Sequence, residues 1–238
     1  MDVYFITIFP DMFREALSAG MTGIAERTGA AAYHVVNLRD FAEDRYGSVD
    51  DYPYGGGPGM ILMAPPLVRA VESVRSAEEG DDAPVILLSP CGAVFTQAKA
   101  HEFASKRSLV FICGRYKGVD ERVRDLVVTE SVSIGDYILS GGELAALVVT
   151  DAVIRCLPNV IGDERSRDTD SFSTEREFCL DAAYYTRPPE FRGLPVPETL
   201  VSGNHARIAQ WREESARRRT ELYRPDLIAK ARLKGSNE

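Results

Sequence analysis

Five apolar, β-branched runs, at Val3–Ile8, Tyr33–Leu38, Val85–Ser89, Leu109–Cys113 and Val127–Ser133, punctuate the first two thirds of this chain. Helical patterns lie between or after them, at Pro10–Ala19, Pro65–Ser76, Gln97–Ser105, Asp120–Leu126 and Gly142–Leu157. Strands that alternate with helices leave few architectures open, because each crossover returns the chain parallel to the previous strand and both sheet faces are covered. The expected fold is therefore α/β with a parallel sheet. Ligands in such sheets bind where loops leave the carboxyl ends of strands. Three glycine-bearing loops follow apolar strands, at Ser89-Pro90-Cys91-Gly92, at Gly114-Arg115-Tyr116-Lys117-Gly118, and at Ser133-Ile134-Gly135-Asp136-Tyr137-Ile138-Leu139-Ser140-Gly141-Gly142. Three such loops converging on one pocket explain the pattern better than three independent turns.

The third loop is the most informative. Gly135, Gly141 and Gly142 let the backbone turn tightly and approach another group, while Tyr137, Ile138 and Leu139 can wall an apolar slot. Bare amides with apolar flanks suit a flat heterocycle such as adenine. Familiar phosphate sites are excluded. The first strand runs into Phe9-Pro10-Asp11-Met12 without the glycine fingerprint of a dinucleotide fold, and no P-loop is present.

Around Pro158 the periodicity stops, and Gly162 to Asp170 is polar and aperiodic, which reads as an exposed linker. Asn204 to Tyr223 then reads as a long helix broken at Arg224-Pro225. The expected organisation is a cofactor-binding domain over 1–160, a linker over 161–175 and a small helical domain over 176–238. The formal net charge of −8 argues against indiscriminate coating of nucleic acid. It is unevenly spread, however. Residues 203–238 carry seven Arg and two Lys against five acids, a net of +4 that leaves −12 on residues 1–202. That tail suits either local phosphate contacts or a solvated, ion-paired helix face. The start lacks a basic segment, and the apolar stretch Leu144–Ile154 is interrupted by Asp151 and too short to span a bilayer. Cytoplasmic residence is the expectation. The four scattered cysteines form no C-x-x-C pair, so neither a metal site nor a disulfide framework is expected, and buried thiols are.

Several long blocks resemble one family. Asp51-Tyr52-Pro53-Tyr54-Gly55-Gly56-Gly57-Pro58-Gly59-Met60, Gly114 to Arg122 and Ser133 to Leu144 are similar to the three signature blocks of bacterial tRNA (guanine-N1)-methyltransferases, the TrmD family. Asp170-Ser171-Phe172, Tyr185-Thr186-Arg187-Pro188, Ser202-Gly203-Asn204-His205 and Trp211-Arg212 follow in the same order. The resemblance implies a knotted SPOUT-type α/β methyltransferase domain plus a small α-helical C-terminal domain, against the general rule that chains do not thread loops. It implies a homodimer whose active sites use both subunits, and transfer of a methyl group from S-adenosylmethionine to N1 of the guanine at tRNA position 37. The tRNA anticodon branch is the implied partner, with neither DNA nor a membrane; a need for Mg²⁺ is not readable from the residues. By matching position, the implied cofactor-binding residues are Leu88, Ser89, Pro90, Gly114, Ile134, Gly135, Asp136, Tyr137, Ile138, Leu139, Gly141 and Gly142. The implied catalytic residues are Asp170, as the base that removes the N1 proton, and Arg155, stabilising charge that develops on O6. Arg165 and Arg167 are the expected grips on tRNA.

Each residue also has a plainer reading. Asp170 fits a cap for the turn at Ser171. Arg155 fits an ion pair with Asp151, worth only ~0.2–0.5 kcal/mol. Asp136 fits a turn device; Asp181, which matches a family carboxylate near the methionine end of the cofactor, fits a surface role equally well; and Gly55–Gly59 fits a phosphate nest or a shaped loop bordering the cofactor and tRNA. Three positions depart from the family pattern. Lys117 stands where relatives have glutamate, Cys91 where they have glutamine, and Ala145 where they have proline. A knotted enzyme with another target base or ribose, and a catalytically silent RNA-binding module, are the alternatives.

Overall fold

The structure is a computed structural model and describes residues 1–77, 83–162, 169–173 and 179–229. The chain divides into two compact units, Met1–Gly162 and Asp163–Glu238. The first contains β1 (Asp2–Thr7), α1 (Asp11–Ser18), α2 (Gly20–Arg27), β2 (Ala32–Asn37), β3 (Asp50–Asp51), β4 (Ile61–Leu62), α3 (Ala64–Ala77), β5 (Val85–Val94), α4 (Gln97–Ala104), β6 (Ser108–Ile112), α5 (Glu121–Leu126), β7 (Glu130–Ser133) and α6 (Glu143–Ile154).

Five strands form one sheet in the order β2-β1-β6-β5-β7, and every pairing in it is parallel. Period-two alternation sorts their side chains. Val3 and Phe5 of β1, Leu109 and Phe111 of β6 and Ile86 and Leu88 of β5 face one way, where Phe13 and Leu17 of α1, Ala100 and Phe103 of α4 and Val149 and Val153 of α6 cover them. Ile6, Val110, Ile112, Val85 and Leu87 face the other way, against Leu67 and Val71 of α3 and Val123 of α5. Phe5 stacks on Phe13 and Phe111 at centroid distances of 4.5 and 5.8 Å. Each such fully buried side chain contributes roughly 1.5–3 kcal/mol. The strand-like runs in the sequence are these strands: β1, β2 and β6 are shifted by one residue, β7 begins three residues later than its run, and β5 extends beyond its run.

Two elements depart from expectation. β5 continues to Val94, because both Leu88 and Ala93 pair with Val132 while residues 89–92 loop out of the ladder. The second is α2, whose sequence Gly-Met-Thr-Gly-Ile-Ala-Glu-Arg is a poor helix former. Tertiary contacts hold it instead. Ala25 is buried against Ile154, Leu157 and Val160, and the Thr22 hydroxyl donates back to the Ala16 and Ala19 carbonyls, at 2.8 and 2.7 Å.

In the second unit the described elements are the hairpin β8 (Glu190–Phe191) and β9 (Leu194–Pro195), a short α7 (Glu198–Val201) and α8 (His205–Tyr223). The Asn204 side chain caps α8, accepting from the Arg207 amide at 3.1 Å. Residues 179–184 lie along this helix. Thr220 and Ser215 hydroxyls accept from the Leu180 and Ala183 amides, both at 3.1 Å, and the Arg219 side chain donates to the Asp181 carbonyl at 3.2 Å. Arg165, Arg167 and most of the expected linker lie outside the described residues. Among the described residues no helix is long and apolar enough to cross a membrane.

Candidate active site

A cavity of about 390 Å³ opens at the carboxyl ends of β6 and β7 and beside the looped-out middle of β5. Its walls come from residues 87–91, 114–119 and 132–142, the three glycine-bearing loops singled out in the sequence, with Glu121, Arg124 and Ala145 completing the lining. Of the expected cofactor residues, Leu88, Ser89, Pro90, Gly114, Ile134, Gly135, Tyr137, Ile138, Leu139, Gly141 and Gly142 line it. Asp136 sits in the same loop but is exposed and is not part of the lining.

Local chemistry explains why each loop stands where it does. Pro90 has no amide to give a ladder, and residues 89–92 leave the sheet around it before Ala93 rejoins opposite Val132; Phe95 N then donates to the Ser133 carbonyl at 2.8 Å. The loop after β6 is pinned by the β3–β4 hairpin. Lys117 N donates to the Met60 carbonyl and Leu62 N to the Gly118 carbonyl, both at 3.0 Å, and Asp120 N to the Leu62 carbonyl at 2.9 Å. Asp120 then caps α5 by accepting from Arg122 N at 3.0 Å, and the Arg122 guanidinium holds its carboxyl below the usual carboxylate range. The Gly55–Gly59 run is absent from the cavity lining, but a Cβ on Gly59 would sit 3.0 Å from Lys117 Cγ. This loop therefore borders the rim at Lys117.

The third loop closes against the second. Gly142 N donates to the Gly114 carbonyl at 2.9 Å, and a Cβ on Gly142 would lie 2.8 Å from Cys113 Cα. Only glycine allows that approach. Among the described residues the amides of Ile138 and Leu139 donate to no protein acceptor. Exposed donors between apolar side chains offer edge-on hydrogen bonds to a flat polar ring, with apolar walls for its faces. The cavity thus fits an adenosyl group.

Several lining side chains were not singled out from the sequence. Arg115 is paired with Glu143 at 2.9 Å, and Glu143 is fully buried. A glutamate opening a mostly apolar helix was the available hint. Arg124 bonds Glu121 at 2.8 Å and also the Ser131 hydroxyl. Lys117 is exposed and has no ion-pair partner among the described residues. The expectation of buried thiols holds for Cys113, whose pKa burial raises well above the ordinary thiol value. It fails at Cys91, which is exposed because it lies in the looped-out part of β5 and lines the cavity.

Neither catalytic candidate is among the lining residues. Arg155 is the residue that ends α6, half-buried, with its amide donating to the Asp151 carbonyl at 3.3 Å. At 1.5 Å per residue it lies about 20 Å along the helix from Gly142, and it does not line this cavity. Asp170 belongs to the second unit. Its carbonyl accepts from Ser173 N at 3.2 Å, making a turn through Ser171 and Phe172, with Phe172 at φ 67°. The Phe172 amide then donates to the Cys179 carbonyl at 2.8 Å. The Asp181 carboxylate accepts from Ala182 N and the Tyr184 hydroxyl, both at 2.6 Å. Among the described residues no group of three or more His, Cys, Asp or Glu is arranged to hold a metal ion.

Over residues 1–230 the sequence matches the family described as tRNA (Guanine-1)-methyltransferase TrmD. It is 48% identical to the tRNA (guanine-N(1)-)-methyltransferase of Anoxybacillus flavithermus over 228 residues, covering 96% of this chain and 91% of that one. It is 49% identical to the protein of the same name from Bordetella parapertussis over 233 residues, covering 97% and 91% of the two chains. The Bacillus subtilis protein of that name is 47% identical over 229 residues, covering 96% and 92%. With a family match spanning nearly its full length and relatives this similar, the chain belongs to the TrmD family of tRNA (guanine-1)-methyltransferases.

Proposed function

We propose that this protein transfers a methyl group from S-adenosylmethionine to N1 of the guanine at position 37 of tRNA. The observation that carries the reading is the glycine-walled cavity, where the Ile138 and Leu139 amides, unengaged among the described residues, lie between apolar side chains, in a chain of this family. S-adenosylmethionine supplies an electrophilic methyl group on a sulfonium. The residues that would hold its adenosyl part are Leu88–Pro90, Gly114 and the 134–142 loop.

Guanine N1 carries a proton and is a poor nucleophile until that proton leaves. The Asp170 carboxylate is the base that accepts it, a contribution of roughly 10²–10⁴ in rate. Negative charge spreads onto O6 as the proton departs. The Arg155 guanidinium, always charged, stabilises it there.

Arg155 stands about 15 Å along α6 from Ala145, the last residue of that helix in the cavity lining, which supports a homodimer with composite sites. α6 carries an exposed stripe, Leu144, Val148 and Asp151, at helical spacing from Arg155. Phe9 and Met12 are also exposed and contact Arg115 in the same unit. A second copy packed antiparallel on this stripe would bring its Arg155 toward the cavity end of the first. The trefoil knot, the cytoplasmic location and a tRNA-gripping role for residues 176–238, with Arg165 and Arg167 of the 161–175 linker, belong to the same reading.

The test is methyl transfer to unmodified tRNA transcripts carrying guanine or adenine at position 37. Methylation of the guanine transcript alone, with 1-methylguanine as product, is expected. Product on the adenine transcript, or on ribose, would assign the protein to another target.

A further inference from the structure

We propose that Arg115 is a positioning residue, locking the second and third cavity loops together through its buried pair with Glu143. The inference rests on the cofactor reading above. The Glu143 carboxylate is fully buried and has both oxygens engaged, Oε1 by the Thr7 hydroxyl at 2.8 Å and Oε2 by Arg115 Nε at 2.9 Å. Thr7 in turn accepts from the Phe9 amide at 2.9 Å.

The guanidinium spends each nitrogen on a different segment. Nε holds the first turn of α6, while Nη1 donates to the carbonyl and hydroxyl of Ser140, at 3.3 and 3.4 Å. Nη2 points at Met12 Sδ, 3.0 Å away in α1, and the plane lies over the Phe9 ring at 4.4 Å. The Arg115 backbone belongs to the loop after β6 and bridges Gly141 of the loop after β7. One side chain therefore fixes two cavity loops to each other and to the turn after β1. A rigid fork can do this; a single ammonium cannot.

Gly141 belongs to the same device. A Cβ there would collide with the Arg115 side chain and stand 2.5 Å from Glu143 Oε2. The backbone must stay bare for Arg115 to pass.

A buried ion pair gives little stability over apolar groups of similar volume, whereas removing one partner alone strands a charge. That asymmetry separates positioning from simple stabilisation. Arg115→Met combined with Glu143→Met removes the pair without stranding either charge, and it deletes the ties to Ser140 and Met12. Measured well below the melting transition of the full chain, this double variant should bind S-adenosylmethionine about tenfold or more weakly. Its kcat should fall as well, while its affinity for tRNA without cofactor stays close to wild type; the melting temperature should drop only by the amount expected for the Thr7 hydroxyl losing its acceptor. Wild-type cofactor affinity and kcat in the folded double variant would overturn the proposal. So would a lower melting temperature with normal binding in the cold, since that outcome marks a purely structural pair. Should the double variant fail to fold, Arg115→Lys keeps a charge for Glu143 but loses the fork. It should weaken cofactor binding with little change in melting temperature, and unchanged binding would overturn the proposal. Failure of the wild-type protein itself to bind S-adenosylmethionine is a separate result that rejects the cofactor reading instead.

Discussion

Gly142→Ala isolates the closeness of the second and third loops. Gly142 has φ −79° and ψ −10°, which alanine adopts freely, so any effect is steric. The added methyl carbon would sit 2.8 Å from Cys113 Cα and 3.1 Å from Gly114 N. Carbon atoms rest at about 3.5–4.0 Å, so the start of α6 must retreat from the end of β6 by roughly 0.7 Å or more. The hydrogen bond from Gly142 N to the Gly114 carbonyl would stretch from 2.9 Å to beyond its working range. Overpacking of this kind costs about 1–3 kcal/mol. If the strain is relieved by opening the cavity, ligand binding must work against it, and affinity should fall roughly fivefold to a hundredfold or more. Calorimetric titration with S-adenosylmethionine reads this directly. Gly162→Ala, where no described residue lies within 4 Å, serves as the neutral control. A Gly142→Ala protein that binds within experimental error of wild type would refute the claim that this contact shapes the site.

Asp170→Asn should lower the methyl-transfer rate by roughly 10²–10⁴ with little effect on cofactor affinity, and a full rate in single-turnover assays would remove Asp170 from the base role. Lys117 is exposed at the rim without an ion-pair partner among the described residues. Its replacement by glutamate should weaken tRNA binding and reduce the slope of log K against log salt by about one for the lost phosphate contact; an unchanged slope places Lys117 away from RNA. Thr220→Val leaves the Leu180 amide without its hydroxyl acceptor and should destabilise the protein by about 1–3 kcal/mol, read by denaturant unfolding; equal midpoints would show that the hydroxyl is not what holds residues 179–184.

The parts of the fold that were legible in the sequence are those governed by local chemistry. The β-branched runs became the five parallel strands because both sheet faces are covered, so the runs are continuous and easy to see. The three cavity loops were legible from their glycines. Elements held by distant contacts were not. α2 has a sequence that opposes a helix and relies on burial of Ala25 against residues after α6. The two-residue strands β3, β4, β8 and β9 are too short to show any alternation. In the site, Arg115 and Glu143 lie 28 positions apart with no periodicity to connect them. Cys91 is exposed because of a bulge that strand patterning does not encode. Arg155 was named by matching position alone, and its remoteness from its own cavity emerges only once α6 has a direction.

The most direct measurement is an experimental structure of the protein with S-adenosylmethionine bound. The account predicts adenine edge-on to the Ile138 and Leu139 amides, inside the cavity bounded by residues 87–91, 114–119 and 132–142. Density for the donor at any other place on the chain, with this cavity left to solvent, would contradict it.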